Sequence, residues 1–228
     1  MSGKLHQRRL RRSRRLFDFD RGLAHRFVAG ADEAGRGCLA GPLVAAAVLF
    51  DYEQLSVGDR RILGGLHDSK RLTRERREEL YDVIVRLARQ VVVVLLSPAT
   101  IDRDGLHRCN LAALGRCLER LHPAPDAALV DGFRLPGCQR AHEAVVGGDR
   151  LSAAVAAASI VAKVTRDRVM RGLHDSFPAY GFDSHVGYAT AAHQAAICEH
   201  GVCELHRLSF ASVAYQQLGL DIGADATC

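Results

Sequence analysis

Residues 27–50 read FVAGADEAGRGCLAGPLVAAAVLF, two short apolar runs on either side of a glycine-rich stretch. The composition of the runs predicts a hairpin-like pair of β-strands joined by that stretch. The first run ends in two adjacent carboxylates, Asp32 and Glu33. Neighbouring strand residues point to opposite faces, so a site that uses both acids requires a local distortion. The glycines that follow would permit a bulge at that point.

Further along the chain, strand-like and helical segments alternate. Thr73 and Ser97 are predicted N-caps of two helices, and a long alanine-rich helix is expected from about residue 151. Shorter helical patterns lie near His193 and Val213. The further strands are predicted in VVVVLL, DAALVDG and RAHEAVVGGD. This alternation predicts an α/β domain in which helices cover a mixed sheet, with the active site at the strand ends.

Two more carboxylates follow predicted strands, Asp131 and Asp149. Together with Asp32 and Glu33 they would form a cluster of four acids, and such a cluster requires compensating cations. Hard divalent ions such as Mg²⁺ and Mn²⁺ take oxygen ligands, and a pair of them about 4 Å apart can activate water against a phosphodiester. Asp167, between arginines in a helix, is instead expected to form a structural salt bridge.

Composition restricts the class of protein only loosely. The 228-residue chain is 48% hydrophobic, enough for a packed core, and its formal charge of +5 is compatible with a polyanionic partner. Its seven cysteines contain no C-x-x-C pair, which argues against a disulfide framework and a zinc knuckle. We see no signal peptide and no apolar run long enough to span a bilayer, so a cytoplasmic protein without a membrane partner is expected. The arginine-rich N-terminus, residues 1–24, is predicted to be a mobile arm, with an arm that grips phosphate as the alternative.

The GRG of Gly35, Arg36 and Gly37 is a weak signal alone, and it lacks the spacing of a dinucleotide-binding loop. With other motifs in the same order, however, the chain from about Ala29 to Phe210 strongly resembles ribonuclease HII. The motifs that carry this resemblance are DEAGRGCLAGPLVAAAVL, DSKRL, LVDG, GGD, AAASIVAKVTRDR, GYAT and HRLSF.

The resemblance implies a ribonuclease H-like fold, a mixed sheet flanked by helices, at residues 25–190, with a small C-terminal helical extension at residues 191–228. It implies cleavage of RNA in RNA/DNA hybrids and nicking of duplex DNA on the 5′ side of an embedded ribonucleotide, leaving a 5′-phosphate and a 3′-hydroxyl. The four acids match the family's catalytic and metal-binding residues, with two Mg²⁺ or Mn²⁺ ions per site.

The same resemblance assigns substrate contacts. Gly35, Arg36 and Gly37 match the sensor of the 2′-hydroxyl, the group that distinguishes RNA from DNA. Tyr188 matches a tyrosine that packs on the sugar after the ribonucleotide. The expected phosphate contacts are Ser69, Lys70, Ser159 and Lys163. The chain departs from the usual pattern at Cys38 and at Gly147, where a basic residue is common.

Three alternatives remain open. The chain could be a noncatalytic module that binds hybrids, although binding has no use for a repulsive acidic cluster. It could be a related phosphoryl-transfer enzyme that acts on DNA strands, which cleavage of an all-DNA duplex would reveal. QQLGLD near the C-terminus resembles sliding-clamp peptides but lacks their aromatic end, so an ordinary helix terminus is favoured over clamp binding. A monomer is expected.

Overall fold

The computed structural model describes residues 14–66 and 72–210, and these divide into two compact units. The first contains residues 14–34, 44–94 and 111–164, apart from residues 67–71. The second contains residues 35–43, 95–110 and 165–210. These units do not coincide with the predicted boundaries after residues 24 and 190, and the predicted division into domains stays a prediction.

The two apolar runs form the predicted antiparallel pair, β1 (Phe27–Ala34) and β2 (Leu43–Asp51). Every residue of β2 is buried, as expected for a strand covered on both faces. The pairing runs without interruption from Phe27 opposite Asp51 to Ala34 opposite Val44. The expected bulge is therefore absent from this ladder, and the strand remains regular until Gly35.

The described residues form one five-stranded mixed sheet, which confirms the predicted α/β class. Its strand order is β3-β2-β1-β4-β5, where β3 is Gln90–Leu96, β4 is Ala127–Asp131 and β5 is Glu143–Val145. β4 lies parallel to both β1 and β5. The carboxyl ends of these three strands consequently share one edge of the sheet.

Helices connect and flank the strands. Thr73 and Ser97 cap their helices as predicted, since their side chains accept from the N–H groups of Arg76 and Thr100. The helices are α1 (residues 14–22), α2 (Val57–Ile62), α3 (Arg74–Leu87), α4 (Pro98–Asp104), α5 (Leu106–Glu119), α6 (Ala153–His174), α7 (Phe182–His185) and α8 (Ala191–His200). The pattern predicted near Val213 lies outside the described residues.

Part of the predicted mobile arm is a packed helix. Leu16 and Phe17 of α1 are buried in the core of the first unit. Asp20, also on α1, accepts hydrogen bonds from the Tyr52 hydroxyl at 2.7 Å and from the Ala154 N–H at 2.9 Å. The carboxylate thus caps the amino end of α6. Residues 1–13 lie outside the described part of the chain.

The core of the first unit forms where α6 meets the sheet. Gly30 of β1 permits a close approach, because a Cβ there would stand 2.1 Å from the backbone carbon of Ala154. Alternate residues of β2, among them Val48 and Phe50, pack with the alanines of α6. Small residues on both elements therefore bring the helix directly against the strand that carries the acids.

The second unit has small apolar clusters of its own. In one, Met170, Tyr180, Phe182 and Val186 pack together with Ala40. In another, Leu43 packs with Ile101 and Cys109.

None of the helices in the described part of the chain has both the length and the apolar character needed to cross a bilayer.

Candidate active site

The parallel register of β1 and β4 brings two of the predicted acids together. Ala31 lies opposite Val130, and one further step in the same register sets Asp32 beside Asp131. Both acids stand at the carboxyl ends of their strands, where sites of open α/β sheets form. The sequence alone predicted this position for each acid, and the topology makes them neighbours.

Asp32 is the most deeply buried of the four acids, with 7% of its surface exposed. Its Oδ1 accepts the N–H of Glu33 at 2.7 Å, and the Ser159 side chain of α6 hydrogen-bonds to the same carboxyl group. Burial, followed by repulsion from Glu33 and Asp131, raises the pKa of Asp32 well above its usual range. Two hydrogen bonds therefore do not compensate for the cost of ionising this group.

Asp131 and Asp149 are joined through the backbone. The N–H of Gly148 donates to Asp131 Oδ1 at 2.7 Å, and Asp149 is the next residue in a 3₁₀ turn, Gly148–Arg150. Gly147, which precedes this turn, has a left-handed φ of 66°, a conformation that favours glycine. The glycine at this position, where the resemblance to ribonuclease HII implies a basic residue, thus has a backbone reason here.

Glu33 lies on the other side of the strand from Asp32. The regular ladder pairs Glu33 with Ala45 and Asp32 with Ala46, and adjacent strand residues alternate in direction. The two carboxylates nevertheless repel each other electrostatically. Within residues 14–66 and 72–210, no three Asp, Glu, His or Cys side chains have the spacing of a formed metal centre.

The GRG turn belongs to the second unit, and buried arginines surround its carbonyl groups. Gly35 has a φ of 93°, and a Cβ there would stand 2.2 Å from Arg166 Nε. Arg207 Nη1 donates to the carbonyl oxygens of Gly35 at 2.7 Å and Arg36 at 3.2 Å. Gly37 differs, since a Cβ there would meet no described atom within 4 Å. Packing within the described residues therefore does not explain the glycine at position 37.

Tyr188 follows directly on Gly187 in a loop that Arg166 also holds. Arg166 donates to the carbonyl oxygens of Val186 and Ala40, both at 2.9 Å, and its guanidinium carbon lies 5.7 Å from the centroid of the Tyr188 ring. Tyr188 keeps 39% of its surface exposed. Arg166 consequently joins the chain that follows the GRG turn to the loop that carries Tyr188.

The predicted phosphate contacts differ in position. Ser69 and Lys70 lie outside the described residues. Ser159 is buried, with its side chain directed to Asp32, and Lys163 is half-buried one helical turn further along α6. Asp167 forms the predicted structural ion pair, with an oxygen 3.7 Å from Arg171 Nη2.

Sequence reasoning missed three features: the Ser159 contact to Asp32, the burial of Arg166 and Arg207, and the packed rings of His185, His193 and His206. A signal for Ser159 exists, because it is the only polar residue between Ala153 and Ala162. Arg166 has Ala162 and Met170 four residues to either side, an apolar helix face that indicates burial.

The oxygen donors at the strand ends suit a hard divalent cation. Asp32 is buried beside two other carboxylates and carries a cost of ionisation that a cation would remove. Mg²⁺ and Mn²⁺ prefer such carboxylate ligands, and the first shell needs only a few from the protein. Asp32, Glu33, Asp131 and Asp149 are the carboxylates at or just beyond the strand ends that could supply such oxygens.

Comparison with known proteins gives a consistent result. A family model described as ribonuclease HII matches residues 29–213. A ribonuclease HII of Saccharopolyspora erythraea is 50% identical over 186 residues, which cover 82% of this chain and 79% of the relative.

Solved structures agree. The ribonuclease H2 of Pyrococcus horikoshii OT3 has a TM-score of 0.71 at 26% identity, and the alignment covers 85% of this chain and 98% of that one. The ribonuclease HII of Archaeoglobus fulgidus, solved in complex with PCNA, has a TM-score of 0.68 at 28% identity and covers 82% of this chain and 96% of that one. The shared fold, the family match over most of the length and the identity to that relative show that this chain belongs to the ribonuclease HII family of endoribonucleases.

Proposed function

We propose that the protein hydrolyses RNA in RNA/DNA hybrids and nicks duplex DNA on the 5′ side of an embedded ribonucleotide, leaving a 5′-phosphate and a 3′-hydroxyl. The observation that carries the proposal is the buried Asp32 beside Asp131 at the shared edge of β1 and β4. A fold does not gather repelling carboxylates at a strand edge for stability, so a cation-dependent reaction is the reason we infer.

The proposed ligands of two Mg²⁺ or Mn²⁺ ions are Asp32, Glu33, Asp131 and Asp149. The chemistry that such ions would supply there is activation of a water molecule and stabilisation of the charge that develops on the scissile phosphate. The protein's own contribution is to hold the ligands. Ser159 and the Glu33 N–H orient Asp32, while the Gly148 N–H orients Asp131. These contacts restrict the side-chain rotamers of Asp32 and Asp131 before a cation binds, so that binding costs less conformational entropy.

Recognition of the ribonucleotide is assigned to two loops, which we call the reader loops: the GRG turn, residues 35–37, and the GYAT loop, residues 187–190. Glycine at position 37 has no packing partner in the described residues, and this supports close approach of a substrate to that backbone. Arg36 supplies a forked donor for phosphate, and the exposed face of Tyr188 is available to pack on a sugar.

Four further residues are proposed to contact the phosphate backbone without reading sequence, namely Ser69, Lys70, Ser159 and Lys163. The support for Lys163 is its half-buried position on α6, one turn beyond Ser159. Ser159 has a further role as the partner of Asp32.

The test is incubation with Mg²⁺ or Mn²⁺ and a DNA duplex that contains one ribonucleotide, beside all-DNA and RNA/DNA hybrid controls. A nick immediately 5′ of the ribonucleotide is expected. Absence of that nick would defeat the assignment, and equal cleavage of the all-DNA duplex would favour a DNA-strand phosphoryl-transfer enzyme instead. Tight binding of the hybrid without any cleavage would indicate a noncatalytic binding module.

The Arg36→Ala variant tests the reader loops separately. We expect a marked loss of cleavage at single ribonucleotides while the folded structure, followed by circular dichroism, is retained. An unchanged rate would remove the GRG turn from the recognition scheme.

Roles in ribonucleotide excision repair and in removal of RNA primers follow from these substrates. The relative from Archaeoglobus fulgidus forms a complex with PCNA, which gives some support to clamp binding through QQLGLD. That segment lies outside the described residues, and a pull-down with and without the residues after Tyr215 tests it. A monomeric state and a cytoplasmic location stay predictions from the sequence.

A further inference from the structure

The HRLSF segment, residues 206–210, has no role in the mechanism above, yet its first two side chains are buried. His206 is 2% exposed and Arg207 is fully buried. The two residues are adjacent in the chain, but their side chains reach different reader loops. All of the contacts described below lie within the second unit.

Arg207 holds the GRG turn by its carbonyl groups. Its Nη1 donates to the oxygens of Gly35 and Arg36, and its Nε donates to the oxygen of Gly41 at 3.0 Å. A trans peptide group is planar, so its N–H points opposite to its C=O. By holding these two carbonyls, Arg207 fixes the directions of the N–H groups of Arg36 and Gly37, the backbone donors of the turn.

His206 reaches the other reader loop through a second histidine. His206 Nε2 lies 3.2 Å from His193 Nε2, and His193 Nδ1 lies 2.9 Å from the carbonyl oxygen of Tyr188. Since a carbonyl oxygen only accepts, His193 must carry its proton on Nδ1, which leaves its Nε2 as an acceptor. The proton between the rings therefore belongs to His206 Nε2. Its Nδ1 then accepts the Cys203 N–H at 2.9 Å.

This chain of hydrogen bonds has one proton arrangement, and it requires both imidazoles to be neutral. A charged His193 would set N–H against N–H at the contact between the two histidines, and a charged His206 would set its Nδ1–H against the Cys203 N–H. The groups packed around the pair are the His185 ring, 4.4 Å from His193, the Tyr180 ring, 4.9 Å from His206, and the Cys203 thiol. Burial lowers the pKa of both His193 and His206 to about 4.

The segment that carries these residues is itself anchored. Asp102 of α4 accepts the N–H groups of Leu208 at 2.9 Å and Ser209 at 3.1 Å, and the Ser209 hydroxyl at 2.6 Å. The N–H of Arg207 donates to the carbonyl oxygen of Leu39 at 2.8 Å. A tethered segment can serve as a fixed reference for both loops.

We propose that His206 and Arg207 are positioning residues for ribonucleotide recognition: Arg207 orients the GRG turn, and His206, through His193, orients the Tyr188 loop. One short segment thereby sets the spacing of the two reader loops. The inference rests on the role given to those loops under the proposed function, whereas the proton arrangement of the histidines does not.

The first experiment therefore concerns the histidines alone. In ¹⁵N-labelled wild-type protein, imidazole spectra near pH 7 should show His193 protonated on Nδ1 only and His206 protonated on Nε2 only. Either ring in the charged form, or the opposite tautomer in either ring, would overturn the relay. Because the measurement uses the unaltered chain, it does not depend on whether any variant folds.

The second experiment compares kcat/KM for a single embedded ribonucleotide with kcat/KM for a uniform RNA/DNA hybrid, which has no RNA-to-DNA junction. Tyr188→Ala serves as the standard, and it should lower this ratio by about 10-fold or more. His206→Gln should lower the ratio in the same direction, and His200→Gln, at a more exposed histidine, is the matched control. A general folding defect would reduce both rates together and would leave the ratio unchanged.

For Arg207, the conservative Arg207→Lys variant removes the fork that holds several carbonyls at once. In an Asp32→Asn background, it should reduce by about 10-fold the preference for a ribonucleotide-containing duplex over all-DNA duplex. Arg103→Lys, at an exposed arginine, is the control. A preserved preference would overturn the role of Arg207.

The outcomes separate the inference from the function on which it rests. An unchanged ratio in Tyr188→Ala would overturn the role of Tyr188 and, with it, that of His206. A lowered ratio in Tyr188→Ala with an unchanged ratio in His206→Gln would overturn the positioning role of His206 alone.

Discussion

Replacement of Asp32 by asparagine should have opposite effects on stability and on cleavage. The side chain is buried beside Glu33 and Asp131, and its raised pKa means that the ionised form destabilises the folded protein in the absence of a cation. Asparagine keeps an acceptor for the Glu33 N–H and can donate to the Ser159 hydroxyl. The variant thus removes the charge and keeps the hydrogen bonds.

The size of the gain follows from the cost of a buried polar group without adequate compensation, about 1–3 kcal/mol. Taking about 1–2 kcal/mol, and a shift of roughly 2–4 °C per kcal/mol for a chain of this length, the Tm of the metal-free protein should rise by roughly 2–8 °C. Cleavage should nearly vanish, because a lost metal ligand affects chemistry more than duplex binding.

The pH dependence of the free energy of unfolding tests separately whether the charge of Asp32 destabilises the folded protein. A carboxyl group whose pKa is higher in the folded than in the unfolded state costs stability as the pH rises through the unfolded value toward the folded one. The stability difference between Asp32→Asn and wild type should therefore grow as the pH is raised from about 4.

The assay is thermal and urea unfolding in the presence of a chelator, with Asp18→Asn as a control. Asp18 is half-exposed, and among the described residues it makes a surface ion pair at 3.9 Å with Arg14, so its replacement should change stability by less than about 0.5 kcal/mol. Added Mg²⁺ should raise the Tm of wild type more than that of Asp32→Asn. A lower Tm for chelated Asp32→Asn than for wild type would refute the reasoning.

Three further predictions concern packing and titration. Gly30→Ala should destabilise the protein by about 3 kcal/mol or more in urea unfolding, because the new Cβ would stand 2.1 Å from backbone atoms of Ala154 and Val155; a change below about 1 kcal/mol would contradict the contact. Stability should fall as the pH drops from about 6.5 to about 4, by up to about 1.4 kcal/mol per pH unit for each buried imidazole, because the unfolded chain binds those protons first. His206→Gln should flatten this dependence of stability on pH. A dependence as steep as that of wild type would disprove that His206 is a buried neutral imidazole. Asp20→Ala should cost about 1–2 kcal/mol through loss of the α6 cap, and an unchanged urea midpoint would show that this cap does not stabilise the fold.

The strand pair and its acids could be predicted from the sequence because their signals are local. FVAGADEA and LVAAAVLFD form β1 and β2 as expected, and Asp131 ends β4. The glycines after the acids were expected to permit a bend or bulge. No bulge appears, since the ladder stays regular to Ala34, and the positive φ of 93° comes only at Gly35.

The prediction of a mobile arm was wrong for residues 14–22, which form a packed helix. The density of arginine suggested a solvated segment, but Leu16 and Phe17 fall on one side of a helix and are buried. Three apolar residues in one short helix, of which Phe19 is exposed, are too few for a periodicity signal. The buried pair packs against residues far along the chain.

By itself, the sequence determined the alternation of strands and helices, the placement of Asp32, Glu33, Asp131 and Asp149 at or just beyond strand ends, and the family. These depend on residue order and spacing along a single element, which the sequence states directly. Only the tertiary structure decided that Ser159 meets Asp32, that Gly148 meets Asp131, and that His206 and Arg207 hold the reader loops. Such contacts join distant parts of the chain, and their geometry depends on how the elements pack.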